Sequence, residues 1–304
     1  MRVLVSGSHG LIGSELVVRL RASGHEPVRL VRSGAAGLGE VGWDIGAGRV
    51  DPGALEGVAA VVHLAGEGIA AHRWSAGHKR RVLESRVEGT RLLAQAVAAA
   101  EPRPSVLVSG SAVGYYGDRG DEELTEESEG GLGFLADVCR DWEAATAPAQ
   151  DAGVRVVHLR SGIVLSPKGG ALAKQLPLFR LGLGGRLGSG RQWMSWISLD
   201  DEVGAVLHAL GQSGSEGRQV SGAVNATAPA PVTNAELTRT LARVLHRPAV
   251  ARVPATALAA VMGSEMAREM LLAGQRVTPA KLTATGYGFR HTELEPALRQ
   301  LLGR

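Results

Sequence analysis

The stretch from Val3 to Gly13 constrains the fold more than any other part of this 304-residue chain. The apolar run Val3-Leu4-Val5 leads into a turn with glycines at positions 7, 10 and 13, and apolar residues then recur at helical spacing as far as Leu20. This pattern predicts a strand, a tight turn and a helix. In parallel α/β sheets such a turn is where the phosphates of a dinucleotide bind.

Each glycine of the turn has an expected task. Gly7 and Gly10 stand where the backbone must turn sharply and come close to a pyrophosphate, and Gly13 lets the helix pack against the strand. The unpaired amides at the start of the helix, together with its dipole, favour an anion. An ordinary turn without a ligand is the alternative. The predicted phosphate-binding residues are Gly7, His9, Gly10, Leu11, Ile12 and Gly13.

The end of the second predicted strand indicates which dinucleotide would bind. This strand runs from Pro27 to Val31 and is followed by Arg32, where folds that prefer NAD offer an acid to the ribose hydroxyls. An arginine pairs instead with a 2′-phosphate, so the sequence favours NADP(H) over NAD(H). An exposed surface arginine is the alternative. Asp44, at the end of a short third strand, is expected near the adenine or in a plain turn.

Strands and helices alternate through the first half of the chain. A buried strand over 59–66 is followed by a long helix over 79–100 and a strand over 105–109. This alternation predicts an α/β fold with a doubly wound, Rossmann-type parallel sheet. We expect residues 1–165 to form the NADP(H)-binding domain. Residues 166–304 should form mainly a small C-terminal substrate-binding lobe, with some segments returning to the Rossmann core.

The strand over 59–66 closes on small residues, where backbone can pass close to a cofactor ribose. Leu64, Ala65 and Gly66 are therefore expected to contact the cofactor. Glu67 follows them as a candidate acid–base group. His63 lies within the strand and is expected to be packed and hydrogen-bonded rather than catalytic.

Composition narrows the expected partners and compartment. Lysine occurs at four positions only, the arginines are scattered among alanines and glycines, and the formal net charge is +3, so we expect no nucleic-acid partner. A single cysteine excludes an internal disulfide and favours a reducing compartment. The first strand leaves no room for a signal peptide, and no apolar run is long enough to span a membrane. The sequence thus predicts a cytoplasmic protein without a membrane partner, and we expect no metal site.

Several segments together resemble one protein family. They are 6–13, 63–67, 85–90, 109–118, 139–143, 188–197, 225–229 and 274–277. They are similar to extended short-chain dehydrogenase/reductases, the group that contains nucleotide-sugar epimerases. Most closely they resemble its atypical epimerase family proteins of uncertain substrate, and the resemblance covers nearly the whole chain.

The resemblance also draws attention to what is missing. Active members of the superfamily use a Ser, a Tyr and a Lys four residues after the Tyr, and the Tyr exchanges a proton with the substrate oxygen as hydride moves. No Tyr-x-x-x-Lys occurs here. Aligning Glu143 with the acid that follows the family lysine puts Leu135 at the Tyr position and Cys139 at the Lys position. Cys139 is thereby a cofactor-binding candidate or, alternatively, a small buried side chain, and Ile163 belongs to a segment that resembles the family loop passing the nicotinamide.

The remaining catalytic candidates follow from the same resemblance. Ser111 matches the family serine, in the turn after the fifth strand, where it would orient the substrate; a hydroxyl bonded to local backbone is the alternative. Tyr116, then Tyr115 or Glu67, would replace the missing proton donor. Arg86 stands where related enzymes have an asparagine near the cofactor, so it would bind ribose or phosphate or form a salt bridge with Glu67.

These observations predict an NADP(H)-binding, epimerase-like oxidoreductase that acts on an unknown small molecule. The alternative is a catalytically silent dinucleotide-binding regulatory or sensor protein. The absent Tyr–Lys pair favours the second reading, whereas Ser111 favours the first. Related proteins often dimerise through two long helices that correspond here to 79–100 and 134–151, so a homodimer is a further expectation.

Overall fold

The computed structural model describes residues 1–32, 37–211 and 219–304. The first half of the chain contains β1 (Arg2–Ser6), α1 (Leu11–Ala22), β2 (Glu26–Arg32), β3 (Glu40–Asp44), β4 (Arg49–Val50), β5 (Val58–His63), α2 (Ala76–Ala99), β6 (Val106–Ala112), β7 (Glu123–Leu124), α3 (Phe134–Ala144) and α4 (Ala147–Asp151). The second half contains β8 (Arg155–Ser161), β9 (Ile163–Leu165), α5 (Gly170–Arg180), β10 (Gly185–Leu187), β11 (Trp193–Met194), β12 (Trp196–Ser198), α6 (Leu199–Ala209), β13 (Gly222–Ala226), β14 (Val232–Thr233), α7 (Asn234–Leu245), β15 (Ala251–Val253), α8 (Ala255–Met262), α9 (Ser264–Ala267), β16 (Arg276–Val277), α10 (Ala280–Ala284) and α11 (Leu294–Leu302).

An eight-stranded sheet organises the fold, in the order β13-β8-β6-β5-β1-β2-β3-β4. β1 pairs in parallel with β2 on one side and with β5 on the other. β3 extends the parallel sheet beyond β2 and β6 extends it beyond β5, whereas β4 pairs antiparallel with β3. The direction of winding therefore reverses between β1 and β5, which is where open α/β sheets bind ligands. The predicted doubly wound α/β fold is confirmed.

The chain divides into two compact units, of which the first comprises Met1–Ser111, Val138–Leu159 and Val203–Val224. Its central strands are mostly apolar and buried, because a parallel sheet is covered on both faces. Leu4 and Val61 are fully buried and pack in a core with Leu93 of α2.

The second unit comprises Ala112–Asp137, Arg160–Glu202 and Asn225–Arg304. Its strands form two-stranded pairs, β9 with β12, β10 with β15, β11 with β14 and β7 with β16. Its core gathers side chains from α5, α7 and α11 around Trp196, which is fully buried. The predicted functional division of the chain at residue 165 stays a prediction.

Three local predictions differ from the structure. Ser111 lies inside β6 rather than in a turn, since that strand continues to Ala112, and Gly110 in the same strand packs closely: a Cβ there would stand 3.0 Å from the Trp142 ring. The expected helix over 134–151 is interrupted between α3 and α4, where Pro148 supplies no N–H and the Thr146 hydroxyl donates to the Glu143 carbonyl at 2.7 Å. The sequence also predicts a single helix over 264–272, but in the structure α9 ends at Ala267 and the chain continues as a π turn.

The sequence Thr233-Asn234-Ala235-Glu236 predicts a capping box before α7, with either Thr233 or Asn234 as the cap, and the structure confirms the box with Thr233. The Thr233 hydroxyl accepts a hydrogen bond from the Glu236 amide, and the Glu236 carboxylate accepts one from the Thr233 amide at 2.8 Å. None of the helices in the described ranges combines the length and the apolarity that crossing a membrane requires.

Candidate functional site

A cavity of about 330 Å³ opens in the first unit, at the carboxyl ends of β1, β2, β3 and β5. This is the point where the winding of the sheet reverses. The cavity is lined by residues 7–10, 30–32 and 64–67, together with Trp43, Ile45 and Ser85. The structure thus brings together eight of the predicted site residues: Gly7, His9, Gly10, Arg32, Leu64, Ala65, Gly66 and Glu67.

The three glycines of the first turn do different work. Gly7 has φ +66°, and a Cβ there would stand 2.7 Å from the backbone carbon of Leu64. A Cβ at Gly13 would collide with the Gly7 carbonyl oxygen. At Gly10 a Cβ would meet that oxygen at 3.2 Å and no other described atom within 4 Å. Gly7 and Gly13 therefore permit close packing of turn, loop and helix, while Gly10 keeps the cavity open.

The N-terminus of α1 lies at the cavity and has no side-chain cap. Gly10 is the N-cap residue and has no side chain to accept from the helix, and the first turn contains no acidic residue. Ser14 makes the first amide bond, to Gly10 O at 2.9 Å, so the preceding amides of Leu11, Ile12 and Gly13 have no intrahelical acceptor. Such a terminus favours a phosphate through both its N–H groups and its dipole.

The side of the cavity at β2 is basic. Arg32 is exposed at the end of this strand and lines the cavity. The acid Glu40 is partnered: Oε2 accepts from the Gly37 amide at 3.0 Å, and Oε1 lies 3.8 Å from Nη1 of Arg29 and 3.8 Å from Nε2 of His9, which also lines the cavity. Asp44 accepts from the Ala47 amide at 3.0 Å, which favours the turn alternative for this residue.

A buried polar pair lies behind the cavity. Ser6 Oγ stands 2.6 Å from Nδ1 of His63 and accepts from the amide of Leu64 at 3.2 Å. Burial, and secondarily the positive charge of Arg86, lowers the pKa of His63 from 6.5 to about 4, so the imidazole is neutral at neutral pH. His63 is packed and hydrogen-bonded, as predicted, and it positions the loop that follows β5.

Arg86 contacts the same loop, which spans residues 64–67. Its Nη1 donates to the carbonyl oxygens of Glu67 and Val82 at 3.0 and 3.1 Å, and its guanidinium lies 5.0 Å from the centre of the Trp142 ring. A Cβ at Gly66 would stand 3.1 Å from its Cζ. The contact with Glu67 is thus to the main chain, and desolvation lowers the pKa of the buried guanidinium. This geometry makes Arg86 a positioning residue for the loop over 64–67.

Ser111 takes part in a buried polar chain that sequence reasoning missed. Its hydroxyl donates to Oε1 of Glu143 at 2.7 Å, and Oε2 of Glu143 lies 3.9 Å from Nδ1 of His158. Nε2 of His158 is 2.9 Å from the Thr146 hydroxyl. The sequence signal was Glu143 itself, which served only as an alignment marker. The backbone-bonded alternative for Ser111 is not what the structure shows.

The two adjacent tyrosines occupy different environments in the second unit. Tyr116 is fully buried, and its hydroxyl donates to Oδ1 of Asn225 at 2.7 Å and accepts from Nη1 of Arg160 at 3.0 Å. Burial raises the pKa of this phenol. Tyr115 is half-buried, with its ring centre 3.4 Å from Cζ of Arg160. Arg119 stands four residues after Tyr115, the spacing at which the family motif has lysine, but it donates to Glu122 at 2.6 Å and no α-helix runs from Tyr115 to Arg119.

The other predicted residues are not among those that line the first cavity. Leu135 and Cys139 are on α3, and Cys139 is buried. Ile163 begins β9 in the second unit and donates its amide to Ser195 O at 2.8 Å. Across the described ranges no group of three or more His, Cys, Asp or Glu side chains is arranged to hold a metal ion.

Six residues of the cavity lining were not predicted as site residues, namely Ser8, Leu30, Val31, Trp43, Ile45 and Ser85. Trp43 and Ile45 flank Asp44 at the end of β3, so a signal existed in their position beside a predicted site residue. Ser85 comes from α2 and accepts the Glu67 amide at 2.9 Å, which only the tertiary fold reveals.

A profile of the NAD dependent epimerase/dehydratase family matches residues 3–226, and a domain of unknown function matches residues 253–301. The chain belongs to the NAD dependent epimerase/dehydratase family. An epimerase family protein of Mycobacterium bovis is 48% identical over 296 residues, covering 97% of this chain and 96% of that protein. The family resemblance predicted from the sequence is therefore confirmed.

Solved structures of this family superpose on the whole chain. Human epimerase family protein SDR39U1, crystallised with NADPH, has a TM-score of 0.90 at 38% identity and covers 100% of this chain and 99% of its own. A structure described as a nucleoside-diphosphate sugar epimerase from Corynebacterium glutamicum has a TM-score of 0.80 at 41% identity, with 100% of this chain and 58% of that chain covered. These epimerase-family relatives share the Rossmann-type fold described above.

Proposed function

We propose that this chain binds NADP(H) in the first cavity and acts as an epimerase-like oxidoreductase on a small molecule. The observation that carries the proposal is the uncapped N-terminus of α1 facing the same cavity as Arg32. The first feature suits the pyrophosphate and the second suits a 2′-phosphate. The NADPH in the human relative supports the assignment.

The residues present fit such a cofactor. Gly10 leaves open the space that a side chain would fill, and the amides of Leu11, Ile12 and Gly13 would hold the pyrophosphate. Arg32 would hold the 2′-phosphate, and the loop over 64–67 would contact the ribose. When bound, the nicotinamide exchanges a hydride with the substrate.

Cofactor choice is tested by titrating NADPH and NADH against the protein by nicotinamide fluorescence. The wild type should prefer NADPH, and Arg32→Ala should weaken NADPH binding roughly tenfold, or about 1.4 kcal/mol, while NADH affinity changes little. Arg21→Ala, at the opposite end of α1, is the matched control. Equal loss of both cofactors, or of neither, would show that Arg32 is only a surface arginine.

Proton transfer needs a group other than the family tyrosine. We propose that Ser111 orients the substrate oxygen, and that Glu143, which accepts a hydrogen bond from the Ser111 hydroxyl, takes part in the transfer. Among the predicted donors Glu67 lines the first cavity, whereas the Tyr116 hydroxyl is held between Asn225 and Arg160. Tyr116→Phe removes both hydrogen bonds and should therefore lower the free energy of unfolding while it changes turnover little. Tyr115 stays a second candidate for the proton donor.

A cofactor-binding regulatory or sensor protein is the second candidate function. Leu135 at the aligned Tyr position and Cys139 at the aligned Lys position favour it. NADPH absorbance followed against a panel of ketones, sugars and quinones separates the two: turnover supports the enzyme, and silence despite tight NADPH binding supports the sensor. The predicted homodimer and cytoplasmic location stay predictions.

A further inference from the structure

A second cavity, of about 230 Å³, lies wholly within the second unit. Its wall comes from the turn after β6, from the start of α3 and from the chain between α9 and β16. Leu135, the residue at the aligned position of the family tyrosine, is part of that wall. The cavity therefore adjoins the helix on which related enzymes carry their proton donor.

The charges around this cavity are unsuited to a phosphate. Its lining contains two carboxylates, Asp118 and Glu269, and one cation, Arg268, which lies 3.9 Å from Oε1 of Glu269 and is 70% exposed. The carboxylate of Glu269 also accepts the amides of Phe134 and Leu135 at 3.2 and 2.9 Å. The N-terminus of α3, the natural place for an anion, is thus already occupied by a side chain of the protein.

The rest of the wall is aliphatic. Leu132, Leu135, Ala136 and Ala273 line it, and Leu132 keeps 90% of its surface exposed although it is a large apolar side chain. An exposed leucine at a cavity favours an apolar occupant. The volume lies below the roughly 300–1,000 Å³ of sites that bury drug-sized ligands, which suits a molecule of about one ring.

Apart from the exposed Arg268 guanidinium, the side-chain polar atoms that remain in the lining are acceptors. Nε2 of Gln275 donates to the Gly117 carbonyl at 2.9 Å, and in the described chain its Oε1 has no hydrogen-bond partner. Asp118 uses Oδ1 to accept the Gly274 amide at 2.9 Å, and its Oδ2 likewise has no partner in the described ranges. An occupant would therefore contribute a donor, such as a hydroxyl or an ammonium group.

We propose that the second cavity is the substrate subsite, and that the substrate is a ring-sized, largely apolar molecule carrying a hydroxyl or amine, neutral or cationic, and not a nucleoside-diphosphate sugar. The inference rests on the proposed function, because it names the substrate class of that reaction. The name of the Corynebacterium relative describes that protein; in this chain the cavity offers a diphosphate two carboxylates and one exposed arginine.

The test uses four probes on the full chain saturated with NADP⁺: cyclohexanol, cyclohexylamine, cyclohexanecarboxylate and UDP-glucose. Saturation-transfer NMR should show the first two binding at least tenfold more tightly than the last two. Tighter binding of cyclohexanecarboxylate or UDP-glucose, or no binding of any ring compound, would overturn the proposal. The affinity for NADPH, measured separately, tests the proposed function, so the two ideas can fail independently.

Two variants locate the binding. Leu132→Ser removes an exposed side chain from the mouth and should weaken cyclohexanol binding several-fold, whereas Leu181→Ser, at another exposed leucine of the same unit, should not. Ala273→Leu should fill the cavity and weaken binding at least tenfold without changing NADPH affinity. Cyclohexanol binding that survives both cavity variants would place it elsewhere and overturn the proposal.

Discussion

The two cavities differ most at the helix N-terminus that each one meets. In the first unit α1 begins at Gly10, without a side-chain cap and without an acid in its first turn. In the second unit the carboxylate of Glu269 accepts the amides of Phe134 and Leu135 at the start of α3. The same backbone chemistry is therefore left available to an external anion in one unit and satisfied internally in the other.

The difference shows how one chain can separate two kinds of ligand. A dinucleotide carries its charge on phosphates, for which the first cavity offers amides and Arg32. The second cavity is lined by aliphatic side chains, two carboxylates and the exposed Arg268, so it is less favourable to the same groups. Substitutions can transfer such a property from one unit to the other or remove it.

The largest effect should come from giving α1 the cap that α3 has. Gly10 has φ −75°, which an L-residue adopts readily, so Gly10→Asp places a carboxylate at a favourable N-cap position. The new cap stabilises the helix, whereas the Cβ would stand 3.2 Å from the Gly7 carbonyl oxygen, so the thermal stability should change little. NADPH affinity should fall by about 100- to 1,000-fold, because the carboxylate competes for the amides and repels the pyrophosphate.

Two controls separate charge from size. Gly10→Ala should lose less affinity, about tenfold, since it adds only a methyl group to the cavity. Gly77→Ala, whose Cβ would meet Nη1 of Arg81 at 3.8 Å in α2, should bind NADPH like the wild type. Undiminished NADPH binding by Gly10→Asp would mean that the start of α1 does not hold the phosphates.

Each unit contains a buried titratable group whose shifted pKa should make the free energy of unfolding depend on pH. His63 has its pKa lowered to about 4, so its contribution is present above pH 6.5 and is lost as pH falls toward 4. Glu202 has its pKa raised to about 7 by burial, opposed by the Ser161 hydroxyl at 2.5 Å, so its contribution is present below pH 4.5 and is lost as pH rises through 7. Each shift is worth about 3 kcal/mol of unfolding free energy.

Urea denaturation at a series of pH values measures both contributions. His63→Gln should flatten the acid side of the stability profile and move its maximum to lower pH. Glu202→Gln should flatten the neutral side and move the maximum to higher pH. A profile that keeps its wild-type shape in either variant would rule out that group as the source of the pH dependence.

The sequence predicted what depends on local pattern. Strand–turn–helix order, the glycine turn and the Thr233 capping box follow from residues near each other in the chain, and the structure has them there. Arg32, Leu64, Ala65 and Gly66 reach the cavity because all of them follow parallel strands whose carboxyl ends share one edge.

What the sequence missed depends on contacts between distant segments. Ser111 and Glu143 are 32 positions apart, and their hydrogen bond exists only once α3 packs against β6. The cap on α3 comes from Glu269, 134 positions beyond Leu135, so no local capping rule would reveal it. In the sequence, Arg86 is a charged residue that could bind ribose or phosphate. Its burial and its hydrogen bond to the Glu67 carbonyl oxygen indicate that it supports the loop over 64–67.

The smallest effect should come from removing the cap on α3. Glu269→Ala leaves two amides without their acceptor and should lower the free energy of unfolding by about 1–2 kcal/mol, with a smaller loss for Glu269→Gln, which keeps one acceptor oxygen. Thermal unfolding followed by circular dichroism measures both variants.

Because the start of α3 would then resemble that of α1, sodium sulfate should stabilise Glu269→Ala more than it stabilises the wild type at equal ionic strength. An equal response to sulfate would show that the second unit excludes anions through its remaining carboxylate, Asp118, and its aliphatic wall rather than through the cap.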